Sequence, residues 1–88
     1  MTEEQKKQKA EFNLRIGQRV AQLRKQKGMT QEELSLKAGM QRSHIAKVER
    51  GVYDVTCFTV ELIAEALGMT VDIIDPKLAN LAPLTPLT

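Results

Sequence analysis

The chain has one cysteine, one histidine, one tyrosine, two phenylalanines and no tryptophan in 88 residues. A lone thiol cannot close an internal disulfide, and Cys57 with His44 cannot complete a tetrahedral zinc site. With only Phe12, Tyr53 and Phe58 as aromatics, the core must be built from aliphatic side chains. No apolar run approaches the roughly 20 residues that cross a bilayer, so no membrane association is expected. The N-terminal stretch Met1–Phe12 carries charge but no apolar h-region and does not read as a signal peptide. There is no Gly-rich phosphate loop, no metal-ligand set and no nucleophile–base pair, so neither catalysis nor a cofactor is expected. The reading is a cytoplasmic, reduced, metal-free domain.

What is present is unevenly distributed. Hydrophobic residues make up 42% and charged residues 27%, the balance of a folded globular domain rather than a disordered chain. Residues 1–51 hold twelve Lys/Arg against six Asp/Glu, whereas residues 52–88 hold one Lys against five acids. A basic first half suggests a polyanionic partner.

Glycines at 28, 39, 51 and 68 punctuate the middle of the chain, each following a periodic apolar pattern as a helix-ending residue does. Phe12, Ile16, Val20 and Leu23 mark one face of a first helix. Thr30-Gln31-Glu32-Glu33 reads as a capping box opening a second, short helix that stops at Gly39. Gln41 to Arg50 forms a third, with Ile45 and Val48 inward. Thr56 can cap a fourth, whose inner stripe is Cys57, Val60, Ile63, Ala64 and Leu67. Cys57 is thus expected to be a buried small residue. Met69–Ile74 is rich in β-branched residues and alternates Val71/Ile73 with Thr70/Asp72, which favours a short strand over a fifth helix. Beyond Pro76 a tail carries Leu78, Leu81, Leu84 and Leu87 with Pro83 and Pro86 interleaved, which excludes a helix. The chain divides into a charged extension at 1–11 (continued helix or disordered), a domain at 12–75 and a Pro/Leu-rich tail at 76–88.

A capped short helix, a Gly turn and a second helix over residues 30–51 form a helix-turn-helix. Here the sequence resembles the Cro/cI (XRE) family of DNA-binding domains, over roughly residues 14–75. The resemblance rests on Ile16-Gly17 with Val20, Leu23 and Arg24, and on Gly28-Met29-Thr30-Gln31-Glu32-Glu33-Leu34. It continues through Ala38-Gly39-Met40, Ile45, Val48-Glu49-Arg50-Gly51 and Ile63-Ala64-Glu65-Ala66-Leu67-Gly68. Ser35, Leu36 and Cys57 depart from the family pattern without threatening its fold. The resemblance implies an all-α, lambda-repressor-like bundle of four to five helices, here with one short C-terminal strand. It also implies an Arg24–Glu49 ion pair, largely buried, joining the first helix to the end of the third.

At about 100° per residue, Ile45, Val48 and Glu49 share one side of the third helix while Ser43, Lys47 and Arg50 point the other way. Such a face suits the major groove of double-stranded DNA. By analogy with the family, Arg42, Ser43 and Lys47 are the base-reading residues, and Gln31 and Arg50 bind phosphate. Gln41, His44 and Ala46 flank them as secondary contacts, with His44 more readily solvent-facing than touching DNA.

Two functions follow. One is a homodimeric transcriptional regulator, most simply a repressor, on a palindromic operator, since one helix-turn-helix reads only a few base pairs. The other is an antitoxin that binds a toxin and represses its own operon, because Val48–Asp75 resembles antitoxins of the HipB kind, whose final strand pairs across the dimer. The fourth helix carries a second apolar stripe of Phe58, Leu62 and Ala66. A dimer pairing strands around Met69–Ile74 would use Phe58, Leu62, Met69, Val71 and Ile73. The competing reading folds the leucine-rich tail over that stripe.

Overall fold

The computed structural model describes residues 1–77, which form five helices: α1 (Glu3–Gln26), α2 (Gln31–Ala38), α3 (Arg42–Arg50), α4 (Cys57–Ala66) and α5 (Val71–Ile74). Local chemistry sets most of their ends. At the start of α2 the Thr30 N–H donates to Glu33 Oε1 at 2.8 Å and the Glu33 N–H to Thr30 Oγ1 at 3.0 Å, and Thr56 Oγ1 accepts the Thr59 N–H at 3.1 Å at the start of α4. A second capping box lies at the chain's beginning, where Thr2 and Gln5 do the same at 2.8 and 3.1 Å, with Glu3 and Glu4 in the first turn. That box starts α1 well before the apolar stripe, so residues 3–11 continue the helix, and every residue of the 1–11 extension is exposed.

The core is Ile16, Val20 and Leu23 of α1, Leu34 of α2, Ile45 and Val48 of α3, Val60, Ile63, Ala64 and Leu67 around α4, and Ile74 of α5. All are aliphatic. Eight of the bulkiest are less than 2% exposed or close to it, including Ile16, Leu34, Ile45 and Val48 at 0%. Helix α1 crosses α3 at Gly17, where a Cβ would collide with the Val48 carbonyl oxygen and come within 2.9 Å of that of Glu49. Only glycine lets the two backbones meet this closely. Gly51, which ends α3 at φ 76°, is pressed against the same helix: a Cβ there would lie 2.8 Å from Leu14 Cα.

Two sequence expectations fail. Met69–Ile74 is not a strand: residues 71–74 form α5, and no strand exists among the described residues. Helical spacing buries Ile74 while leaving Ile73 41% exposed, and puts half-buried Val71 against the core. The segment needs no strand partner, because Ile73 N–H donates to Thr70 and Asp75 N–H to Val71 at 3.1 Å each. The Ile73 carbonyl accepts Arg19 Nε at 3.0 Å. Tertiary contacts have overridden β-propensity. Cys57, expected inward, is exposed. It occupies the first position after the Thr56 cap, and Thr59 lies buried on that turn instead. Of the second stripe on α4, Phe58 is 66% exposed, while Leu62 and Ala66 are half-buried and Ala66 packs against the core. The leucines of the tail, Leu78, Leu81, Leu84 and Leu87, lie outside the described residues.

Polar contacts tie α1 to the C-terminal half. Arg15 Nη2 donates to Asp75 Oδ2 at 2.9 Å, and Asp75 is buried and also accepts the Lys77 N–H at 3.1 Å. Arg24 Nε and Nη2 donate to Glu49 Oε2 and Oε1 at 2.6 and 3.0 Å, and Nη1 donates to the Met29 carbonyl at 2.7 Å. Both side chains are largely buried, at 11% and 7% exposure. The Glu49 hydrogen bond, against the opposing effect of burial, raises the Arg24 guanidinium above its already high ordinary value, so it stays charged.

Removing Glu49 strands that charge. Glu49→Ala is expected to lose about 3–5 kcal/mol of stability, measured by urea or thermal unfolding. A melt matching the wild type would show the pair to be superficial.

Asp75 makes the fold acid-sensitive. Burial alone would raise its carboxyl, but the Arg15 hydrogen bond, the Lys77 amide and both positive charges outweigh burial and hold it below its ordinary value of 3.8. A group with a lowered folded value contributes stability that is present above the unfolded value and lost as pH falls through the folded one. Stability is therefore expected to decline below about pH 4. In Asp75→Asn that acid limb should be shallower, as read from unfolding free energies across the same range.

Candidate nucleic-acid interface

Helix α3 has two faces with separate tasks. Ile45 and Val48 are buried in the core, while Arg42, Ser43, Lys47 and Arg50 are exposed along the outer side. The capping box of α2 and the left-handed turn at Gly39 (φ 70°) fix how α3 leaves α2, and the Gly17 crossing fixes its far end against α1. Gln41 is exposed at the N-cap of α3, and Ala46 is half-buried.

The charge of this face depends on where Glu49 goes. It is the one carboxylate on α3, and it is turned inward, accepting two bonds from Arg24 and one of 3.0 Å from Gln31 Nε2. What remains outward is cationic or hydrogen-bonding. Arg42 and Arg50 offer guanidinium forks, Lys47 an ammonium and Ser43 a hydroxyl that can donate or accept. Gln31 stands at the first position of α2, and its second amide hydrogen is not used by Glu49. The structure thus brings Gln31 beside the end of α3, a proximity that sequence spacing did not reveal.

His44 is not simply solvent-facing. It is half-buried, its ring meets Tyr53 edge-on with centroids 4.2 Å apart, and its Nε2 is buried without a hydrogen-bond partner among the described residues. Tyr53 was missed as a neighbour of the site because it lies in the loop after α3. Only its being the one aromatic residue of that loop could have signalled it. Among the described residues no group of three His, Cys, Asp or Glu side chains converges as a metal ion would require, and no helix is long and apolar enough to cross a membrane.

The helix-turn-helix family model matches residues 20–74. The immunity repressor protein of Bacillus phage phi105 is 41% identical over 59 residues, which are 67% of this chain and 41% of the repressor. The chain therefore spans less than half the length of that relative. Control protein C.BamHI of Bacillus amyloliquefaciens is 37% identical over 59 residues, 66% of this chain and 73% of that protein. Among solved structures, the restriction-modification controller protein C.AhdI from Aeromonas hydrophila superimposes with a TM-score of 0.69 at 34% identity, covering 70% of this chain and 94% of C.AhdI. With the capped α2, the Gly39 turn and the two-faced α3 in place, the chain belongs to the helix-turn-helix family of the Cro/cI type, whose members are DNA-binding transcriptional regulators.

Proposed function

We propose that the protein is a homodimeric repressor that inserts α3 into the major groove of a palindromic operator. The observation that carries this reading is the inward turn of Glu49, which leaves the outer face of α3 with Arg42, Ser43, Lys47 and Arg50 and no carboxylate. Arg42, Ser43 and Lys47 read base edges: an Arg fork matches guanine, and Lys and Ser reach groove acceptors. Gln31 and Arg50, at the two ends of the motif, hold phosphates and set the register. Gln41, His44 and Ala46 flank the reading face.

The dimer surface is the apolar patch beyond the motif. Phe58 at 66% and Ile73 at 41% exposure are the exposed large apolar side chains of α4 and α5. Leu62 of α4, Val71 of α5 and Met69 between the two helices are half-buried. Two copies joined through this helical patch, rather than through strands, would present two α3 helices about 34 Å apart, one turn of DNA. The antitoxin reading drew on the likeness of Val48–Asp75 to antitoxins of the HipB kind, including its 52–55 loop and a strand at 69–74. With α5 helical, no observation favours it over the repressor.

The reading is tested by selecting sites from random double-stranded DNA with the purified chain, which should enrich a palindrome. Arg42→Ala and Lys47→Ala should change which bases are preferred, with Arg42→Ala losing about 1–3 kcal/mol of discrimination at one position. Gln31→Ala and Arg50→Ala should weaken all sequences alike. Unchanged preferences in both base-reading variants would refute the assignment.

Assembly is tested separately. The wild type should sediment as a dimer at micromolar concentration, and Phe58→Glu should sediment near the 9.9 kDa of one chain with its helicity intact. A wild-type monomer would leave the dimer without support.

A further inference from the structure

The loop after α3 is fastened to α1 at both ends. Gly51 begins it, lodged so close to α1 that a side chain there would strike Leu14. At the far end the Asn13 amide donates to Asp54 Oδ1 at 2.9 Å and its carbonyl oxygen accepts the Val55 N–H at 3.3 Å. Lys9 Nζ lies 2.9 Å from the other Asp54 oxygen. Asn13 is buried, so both of its polar ends are committed to this loop. The Lys9 and Asn13 hydrogen bonds hold the Asp54 carboxyl below its ordinary value, which keeps it an acceptor.

Between the two anchors stands Tyr53. Its ring meets His44 at an interplanar angle of 71°, and together with Gln41, Ser43 and Lys47 the pair lines a shallow groove of about 250 Å³. Because His44 Nε2 has no hydrogen-bond partner among the described residues, polar contact through that atom does not fix the imidazole. The T-shaped contact with the Tyr53 ring does.

We propose that Asn13, Tyr53 and Asp54 are positioning residues for DNA recognition: α1 holds the 51–55 loop, the loop holds Tyr53, and Tyr53 sets the imidazole of His44 at the margin of the base-reading face. This rests on the major-groove reading of α3. Base preference is then shaped in part by side chains outside the helix-turn-helix, none of which need touch a base.

The test uses the full chain and two readouts. In site selection, His44→Ala, Tyr53→Ala and Asp54→Ala should relax preference at the same operator positions, each by about threefold to thirtyfold. Tyr53→Phe, which keeps the aromatic edge, should retain the wild-type preference, and Lys9→Ala should reproduce Asp54→Ala more weakly. In the free protein, the His44 ring-proton resonances, displaced by the Tyr53 ring current, should move in Asp54→Ala and Tyr53→Ala and stay in Tyr53→Phe. A uniform loss of affinity with unchanged preference in Asp54→Ala would reduce the network to loop stability and overturn the proposal. Unmoved His44 resonances in Asp54→Ala would overturn it independently of DNA. A wild-type chain that enriches no motif refutes the major-groove reading and this proposal with it, whereas unmoved resonances refute the proposal alone.

Discussion

Glu49 is the carboxylate on which three helices converge. Its two oxygens accept from Arg24 at the end of α1 and from Gln31 at the start of α2, while its own backbone lies where α3 passes over Gly17. Arg24 extends the junction by donating to the Met29 carbonyl in the turn before α2. Removing two charges from water is costly, and a well-packed apolar pair could serve stability as well or better. What an apolar pair could not supply is direction. Bidentate geometry specifies the angle between α1 and α3 as well as their distance, and Gln31 adds the angle of α2. The orientation of the helix-turn-helix is therefore set by hydrogen bonds at one end and by aliphatic packing through its middle. The same junction withdraws the only negative charge of α3 from the side that faces outward.

How much of this could be read from the residues varied with the range of the interaction. Features decided within four or so residues were legible: the Thr30–Glu33 box, the left-handed stops at Gly39 and Gly51, and the apolar stripes of α1 and α3. Even there a signal could be overlooked, as with the Thr2–Gln5 box, which lacks an apolar stripe behind it. The Met69–Ile74 segment was misread because alternation and a helical i, i+3 pair are indistinguishable over so few residues. The deciding contacts, from Arg15 and Arg19, come from the other end of the chain. Cys57 was misplaced by extending a correct periodicity past the point where the core covers it. Of the candidate site, the composition of the outer face of α3 was legible from helical geometry. The engagement of Gln31 by Glu49 and of His44 by Tyr53 was not, since both depend on how separate elements meet.

The charge asymmetry takes on a second meaning in the folded chain. A basic first half and an acidic second half suggested a polyanion, but part of that basic excess is spent internally. Lys9 pairs with Asp54, Arg15 with Asp75, and Arg19 binds the Ile73 carbonyl, each bridging the two halves. Arg42, Lys47 and Arg50 on α3 make no ion pair among the described residues, so the outer face of that helix keeps its positive charge.

The division of α3 into two faces has an evolutionary consequence. Folding consumes Ile45, Val48 and Glu49, and nothing in the core leans on Arg42, Ser43 or Lys47. Exchanges at the three outer positions should be nearly neutral for stability, so, with these positions reading DNA as proposed, lineages descending from this sequence could drift between operators without crossing an unfolded intermediate. His44 is the exception on that face. Coupled to Tyr53, it would have to change in step with a loop residue, which would make it the slowest part of the proposed reading surface to diverge.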